Sequence, residues 1–229
     1  MNQRRRKVSV IVLGVAFALT IWAVFHSREP QYQGKKLSHW LRQMESVQDI
    51  ESSEWQAATH ALRQMGTNAL PSLIAPLQIS DPNWKIEVVD WVRQVLSKDL
   101  SDRLVGRDRQ RSLMGLQALG AVARPAVPTL AAMITNANPD LADAAFLGLS
   151  GIGVAECVPP LVLALTNGNA ILRPAAAVSL GTLRGNAGAA VPALAAALEN
   201  RDANLRADAA RALGFIAKNP PVAVPALTR

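Results

Sequence analysis

A phrase without a chemically reactive side chain recurs near the end of the chain. AAVPALAAAL begins at residue 189, and VAVPAL follows it after a short interval. Leu180 and Leu213 are 33 residues apart, and Pro192 and Pro225 have the same spacing. Self-similarity with a period of about 20–50 residues is typical of solenoids and other repeat arrays. The spacing therefore predicts a stack of small repeated units.

Earlier copies align on the same leucine and proline, and with a first copy that reads AATHALRQMGTNALPSLIAPL they make five units. The upstream pairs are Leu116 with Pro128 and Leu149 with Pro159. Each unit is predicted to hold two helices, for example Asn204–Ile216 as a first helix and Pro192–Leu198 as a second. Proline suits the first turn of a helix, where its missing N–H would have no partner.

The composition agrees with helices that pack in a repeating array. Hydrophobic residues make up 50% of the chain and aromatic residues only 4%, so the apolar content is mainly Ala, Leu and Val. A two-helix unit cannot bury its apolar face alone, but stacked neighbours can. The small residues Ala193, Ala195, Ala196 and Ala197 are expected to let neighbouring helices approach closely.

Local signals mark several helix starts. Ser53 with Gln56 is interpreted as a capping box. Asp81 and Asn138 each precede a proline, as N-cap residues do.

A polar row follows the same repeat. Arg109, Arg173 and Arg206 each lie seven residues before the aligned leucine, and Asn169 and Asp202 lie four residues before the last two arginines. These residues could form an anion-binding row or a structural ladder of hydrogen bonds between successive units. We favour the structural ladder, because the positions belong to the repeat and not to one unit.

The N-terminus has the pattern of a membrane anchor. The basic tail at residues 1–7 includes RRRK, and an uncharged apolar run of 18 residues occupies 8–25. A helix of this length covers about 27 Å, close to the hydrocarbon core of a thin bilayer. A cleaved signal peptide is the alternative, but this run exceeds the usual hydrophobic length of such peptides. We expect an uncleaved signal anchor, a linker at 26–36 and a solenoid at 37–229.

The charge distribution indicates topology and weighs against nucleic acid. The net charge is +7, and the basic tail supplies four of these charges. The remainder is ordinary for a protein surface, so no nucleic-acid partner is expected. The tail is predicted to be cytoplasmic and the solenoid extracytoplasmic, here periplasmic.

No catalytic constellation is visible in the sequence. The three histidines His26, His39 and His60 are scattered, and the single cysteine, Cys157, is expected to be a buried apolar residue. GLSGIG at 148–153 lies within a helical repeat, where its glycines are expected to permit close packing and end a helix. No catalytic residue, metal, cofactor or small-molecule substrate is therefore predicted.

A few other residues stand out. The basic run Arg103, Arg107, Arg109 and Arg111 alternates with acids and is interpreted as a solvated face. Trp84 and Trp91, seven residues apart, are predicted to pack in the core, with partner binding as the alternative reading. We also expect a frayed end after about Pro221, where Leu227 contributes to an exposed apolar strip beside 192–199.

The repeated pattern resembles the HEAT repeat, A-x-x-A-L-G-x-x-G-x-x-A-x-x-A-V-P-x-L, over roughly residues 53–229, and it is clearest at 109–134 and 171–227. The opening YQGKKLSHWLRQM at 32–44 further resembles membrane-anchored HEAT-repeat proteins of the Verrucomicrobia. The resemblance implies an all-α fold, an α-α superhelix of about five helix pairs, with Ser38 as N-cap of the opening helix. Residues 84–107 depart from the pattern as an inserted helix.

Two functions follow from this resemblance. The first is a membrane-anchored scaffold that binds an unknown protein. The alternative is a HEAT-like enzyme, such as a bilin-lyase-type or base-excision-type protein. Clustered acids, histidines or arginines on the second helices would favour an enzyme. The segments PTLAAMIT, PPLVLALT and PALAAALE hold almost none, so we expect the scaffold and no enzymatic activity.

Overall fold

The computed structural model describes residues 29–47, 49–78, 107–136, 138–167 and 169–217. Ten α-helices lie within these residues. Their bounds are α1 (Leu37–Ser46), α2 (Ser53–Met65), α3 (Leu70–Gln78), α4 (Arg107–Leu119), α5 (Val127–Ile134), α6 (Pro139–Ile152), α7 (Val158–Asn167), α8 (Leu172–Thr182), α9 (Val191–Ala197) and α10 (Ala203–Ala217).

These helices form the predicted two-helix units. A short 3₁₀ segment joins the first to the second helix in each of α2–α3, α4–α5, α6–α7 and α8–α9. Helix α10 is the first helix of a fifth unit, and the region expected to supply its second helix lies outside the described residues. The predicted stack of helix pairs is therefore confirmed over the described part of the chain, with helix ends shifted by one residue from the two predicted examples.

The units stack in two layers. Among the first helices, α2 contacts α4, and the contacts continue through α6 and α8 to α10. Among the second helices, α7 contacts both α5 and α9. Each second helix also packs on the first helix of the following unit. This arrangement buries one continuous core, as a stack of two-helix units requires.

The aligned leucines show how far the stacking buries each unit. Leu116, Leu149 and Leu180 have no exposed surface. The shared repeat position predicts equal burial for Leu213, but this leucine is only partly buried against the core. The physical reason is its place in the stack, because no helix of the described residues follows α10 to cover that face.

Close helix approach depends on glycine more than on the predicted alanines. A Cβ added at Gly181 of α8 would lie 2.9 Å from the Ala212 Cα of α10. By contrast, Ala195 and Ala196 are exposed, and the expectation that they pack between helices is wrong. They lie on the outer side of α9, whereas Ala197 is buried.

Two of the predicted caps can be compared with the structure. Asn138 caps α6, and its side chain accepts a 2.9 Å hydrogen bond from the Asp140 N–H, as predicted. The cap of α2 is Ser52 and not Ser53, since the Ser52 hydroxyl accepts from the Trp55 N–H at 3.2 Å. Asp81 lies outside the described residues.

The last residues of the predicted linker form a small antiparallel hairpin of β1 (Gln31–Tyr32) and β2 (Lys35–Lys36). Gln33 and Gly34 both have positive φ, at 51° and 72°, as the two central residues of a type I′ hairpin turn do. The Leu37 N–H donates to the Pro30 carbonyl at 2.9 Å, which connects the hairpin to α1.

Ser38 is not the N-cap of α1. The cap position is Lys36, and Ser38 lies inside the first turn. Both the backbone N–H and the hydroxyl of Ser38 donate to the Glu29 carboxylate. An acidic side chain from before the hairpin therefore satisfies the first turn of α1, where anionic groups are favourable.

The membrane prediction concerns residues that are not described. No helix in the described part of the chain is long and apolar enough to cross a bilayer. The predicted span at 8–25 and its basic tail at 1–7 lie outside that part.

Candidate partner-binding surfaces

The second helices present an outer face that repeats from unit to unit. One row consists of the first-turn prolines of α5, α7 and α9. A second row lies four residues further along each helix. All six side chains are exposed; they are Pro128, Pro159, Pro192, Ala132, Leu163 and Ala196. We name this set the second-helix face.

Little charge follows the second-helix face on the side of the helix C-termini. The next exposed positions along the three helices are Thr135, Thr166 and Glu199, of which only the last is charged. The two threonine hydroxyls donate to carbonyls of their own helices at 2.9 Å. Leu163 is 53% exposed at the centre of the face. Depletion of charge around an apolar centre is the compositional mark of the core of a protein interface.

The first helices carry a second, smaller apolar feature. Leu147 of α6 and Val178 of α8 occupy equivalent positions and are 59% and 44% exposed. The equivalent residue of α10 is Arg211, whose guanidinium contacts Asp208 at 3.0 Å. The apolar row therefore ends at the last described helix. The sequence analysis did not single out Leu147 or Leu163. Alignment of the units could have found Leu163, because the equivalent residues are Ala132 and Ala196.

Three members of the polar row make hydrogen bonds to nearby residues of their own loops. The Asn169 side chain accepts from the Ile171 N–H at 3.2 Å, and the Asp202 side chain accepts from the Asn204 N–H at 2.9 Å. Arg206 donates to the carbonyls of residues 200 and 201, each at 2.9 Å. Arg109 and Arg173 are half-buried. The bonds of Asn169, Asp202 and Arg206 stabilise their own loops, and the ladder between units remains a prediction.

One member of the basic run is a structural residue. Arg111 lies 2.7 Å from the Glu45 carboxylate and bridges α4 to α1 across 66 residues of sequence. It also contacts Asp108 at 3.3 Å. Arg111 is therefore not part of a merely solvated face, because the fold places α1 against α4. Arg103 lies outside the described residues.

The predicted partner-binding residues cannot be placed. Trp84, Trp91 and Leu227 all lie outside the described residues, as does nearly all of the insertion at 84–107.

The two described histidines are part of an aromatic cluster at the N-terminal end. The Tyr32 ring stands edge-on to His60 at 6.0 Å, and His39 stands edge-on to Trp40 at 5.5 Å.

The hairpin contributes a cation to this cluster. Lys35 Nζ lies 4.9 Å from the centre of the Trp40 ring. Tyr32 lies 6.4 Å from the same ring. The hairpin is thus held on α1 and α2 by aromatic and cation–π contacts.

Cys157 is buried and unpaired, as expected. Burial raises the pKa of its thiol, because desolvation disfavours the thiolate; a backbone hydrogen bond at Val154 lowers the pKa in part, and Glu156 adds a small rise. The raised pKa keeps the thiol neutral at neutral pH, which is the state of an inert structural cysteine.

The glycines of GLSGIG have the predicted structural roles. A Cβ at Gly148 would lie 3.1 Å from a Leu130 methyl group, so the glycine permits close packing. Gly153 has φ of 71° and ends α6 in the left-handed conformation. In the described ranges, no group of three or more acidic, histidine or cysteine side chains is arranged to hold a metal ion.

Comparison with known protein families agrees with this architecture. A family model described as HEAT repeats matches residues 158–229. The match includes α7 to α10, so this part of the chain is similar to HEAT repeats. No curated protein matches the chain.

Proposed function

We propose that this protein is a membrane-anchored, extracytoplasmic scaffold that binds a protein partner on the second-helix face. The observation that carries the proposal is the repetition of exposed, mostly uncharged side chains on three adjacent helices. A stack of repeats presents such a surface as one extended platform, which suits a partner that contacts several units at once.

The chemistry of this face favours a protein partner. Its centre is Leu163, and its neighbours are alanines, prolines and threonines, so it offers van der Waals contact and little charge. This composition favours an apolar segment of another protein and does not favour a phosphate-rich ligand. No catalytic role is included in the proposal.

The membrane part of the proposal is supported by the sequence. Residues 8–25 are uncharged and follow RRRK, which favours a cytoplasmic tail and a solenoid on the other side of the membrane. The resemblance of residues 32–44 to membrane-anchored HEAT-repeat proteins of the Verrucomicrobia agrees with this arrangement.

Paired leucine variants test the binding face. Full-length chain would be cross-linked in the native envelope as wild type, as Leu163→Glu and as Leu147→Glu. The two leucines are similarly exposed, but Leu147 lies on a first helix, so it is the matched control. A partner recovered with wild type and Leu147→Glu, and at least about tenfold depleted with Leu163→Glu, is expected. Loss with Leu147→Glu alone would move the site to the first helices and refute the proposal.

Topology needs a separate experiment. A C-terminal alkaline phosphatase fusion should be active, because this reporter folds only outside the cytoplasm, and the chain should retain its N-terminal residues. A mature N-terminus after residue 25, or activity of a cytoplasmic reporter at the C-terminus, would contradict the anchor.

A further inference from the structure

We propose that a cleft on α2 binds a short extended peptide through a carboxylate at its Arg63 end. The cleft has a volume of about 330 Å³. The residues that line it are Ile50 from the preceding loop and, from α2, Trp55, Gln56, Thr59, His60 and Arg63. The inference rests on the proposed function, since the peptide belongs to a protein partner, but the cleft is separate from the second-helix face.

One face of α2 supplies five of the six residues. Their spacing of one, four, five and eight residues places them side by side along the helix. Trp55 and Arg63 are eight residues apart, which is about 12 Å along a helix axis. An extended chain covers that distance with about four residues. The cleft therefore matches a short peptide segment that lies parallel to α2.

Arg63 makes one end of the cleft attractive to an anion. Its Nε donates to the Ala118 carbonyl of α4 at 3.0 Å, which holds the guanidinium in place. Among the described residues no carboxylate forms a salt bridge with Arg63, and no acid lines the cleft. A guanidinium held in this way has further N–H donors for a carboxylate.

Thr59 lies one helical turn before Arg63 and lines the same cleft. Its hydroxyl is buried and has no hydrogen-bond partner in the described part of the chain. A buried polar group without a partner is unfavourable. The proposed binding mode requires a rotation about χ1 that brings this hydroxyl to the cleft. A ligand carboxylate placed between Thr59 and Arg63 would satisfy both side chains.

The opposite end of the cleft gives the peptide a direction. Ile50, which is 64% exposed, and the partly buried Trp55 both line this end of the cleft, so a peptide side chain that reaches them is expected to be apolar. Asp49, Glu51 and Glu54 are exposed around that end. These acids repel a carboxylate there and favour a basic residue. The preferred segment is therefore acidic at the Arg63 end, apolar where it reaches Ile50 and Trp55, and basic beyond them, beside the acids of the loop.

Fluorescence anisotropy with two labelled peptides tests the cleft. Full-length chain in detergent micelles would be titrated against acetyl-Glu-Leu-Leu-Lys-amide and against the same peptide with Gln in place of Glu. Wild type should prefer the Glu peptide. Arg63→Gln should weaken binding of the Glu peptide by about tenfold, the usual effect of losing one charge-assisted hydrogen bond. Arg63→Lys should retain part of the preference, and Thr59→Val should reduce it.

Arg42→Gln is the matched control. Arg42 is an exposed residue of α1 whose Nε also donates to a backbone carbonyl, at 3.1 Å, but it does not line the cleft. This variant should bind like wild type. Equal affinity of wild type for both peptides, no binding of either peptide, or equal losses in Arg42→Gln and Arg63→Gln would overturn the inference. Displacement by an equal concentration of acetate would identify a site for small carboxylates and would overturn the peptide assignment.

The two proposals fail separately. If Leu163→Glu loses the captured partner but still prefers the Glu peptide, both the second-helix face and the cleft are supported as separate sites. Normal peptide binding in a chain that captures no partner through the second-helix face would refute only the platform.

Discussion

Two glycines at equivalent repeat positions provide a direct test of how the last two first helices pack. Gly181 of α8 and Gly214 of α10 are 33 residues apart and both lie within helices. A Cβ at Gly181 would lie 2.9 Å from the Ala212 Cα and 3.1 Å from its Cβ, whereas a Cβ at Gly214 would meet nothing within 4 Å. The same substitution, Gly to Ala, should therefore have opposite effects at the two sites.

The expected magnitudes follow from two terms. Alanine in a helix interior is favoured over glycine by about 0.5–1 kcal/mol, and this term applies to both variants. Gly214→Ala should therefore raise the free energy of unfolding by about that amount. At Gly181 the methyl group would meet the backbone of α10, and overpacking costs about 1–3 kcal/mol. Gly181→Ala should lower the free energy of unfolding, and the two variants should differ by about 1–3 kcal/mol.

Urea unfolding of the full-length chain, followed by far-UV circular dichroism, measures this difference. Equal slopes in the two variants would show that the same surface is exposed on unfolding. Stabilisation by both substitutions would mean that α8 and α10 are not as close as described. Destabilisation by Gly214→Ala would mean that residues outside the described part cover that face of α10. Either result would refute the packing argument.

Three further predictions concern burial, capping and the thiol. Leu180→Ala should lower the free energy of unfolding by about 2–5 kcal/mol. Leu213→Ala should lower it clearly less, because Leu213 is only partly buried. Equal losses in urea unfolding would contradict this difference. Asn138→Ala should cost about 0.5–2 kcal/mol through loss of the α6 cap, and Asn138→Asp should retain most of the stability in the same assay. Cys157 should resist alkylation at neutral pH until the chain unfolds, since its thiol is buried and its pKa is raised. The stability that the neutral thiol contributes is present below the unfolded thiol's pKa of about 8.5 and falls as pH rises above it. Wild type should therefore lose its stability advantage over Cys157→Ala at alkaline pH. Rapid alkylation of the folded chain would contradict this prediction.

Local features of the sequence predicted the repeat architecture well. These features are the spacing of Leu180 and Leu213, the prolines at helix starts and the scarcity of aromatic residues. Each of them is visible within about one repeat unit. Helix propensity and N-terminal proline depend on nearby backbone groups, so they can be interpreted without tertiary structure. The error at the α2 cap, Ser52 in place of Ser53, is also local, because both serines precede the same helix and only the backbone geometry distinguishes them.

The candidate sites depended on contacts between distant parts of the chain. The bridge from Arg111 to Glu45 and the anchoring of Arg63 by Ala118 join residues 66 and 55 positions apart. No spacing rule predicts such pairs.

The sequence by itself determined that the chain forms paired helices in repeating units, because the period and the helix signals recur in every copy. Tertiary structure alone decided which equivalent residues are buried. Leu180 is fully buried in α8, which packs against α10, whereas Leu213 of α10 is only partly buried, because no helix of the described residues follows α10. Tertiary structure also decided that Leu163 is exposed on an outer face and that Tyr32 contacts His60. Burial is a property of neighbours in space, and identical repeat positions have different neighbours at the middle and at the ends of a stack.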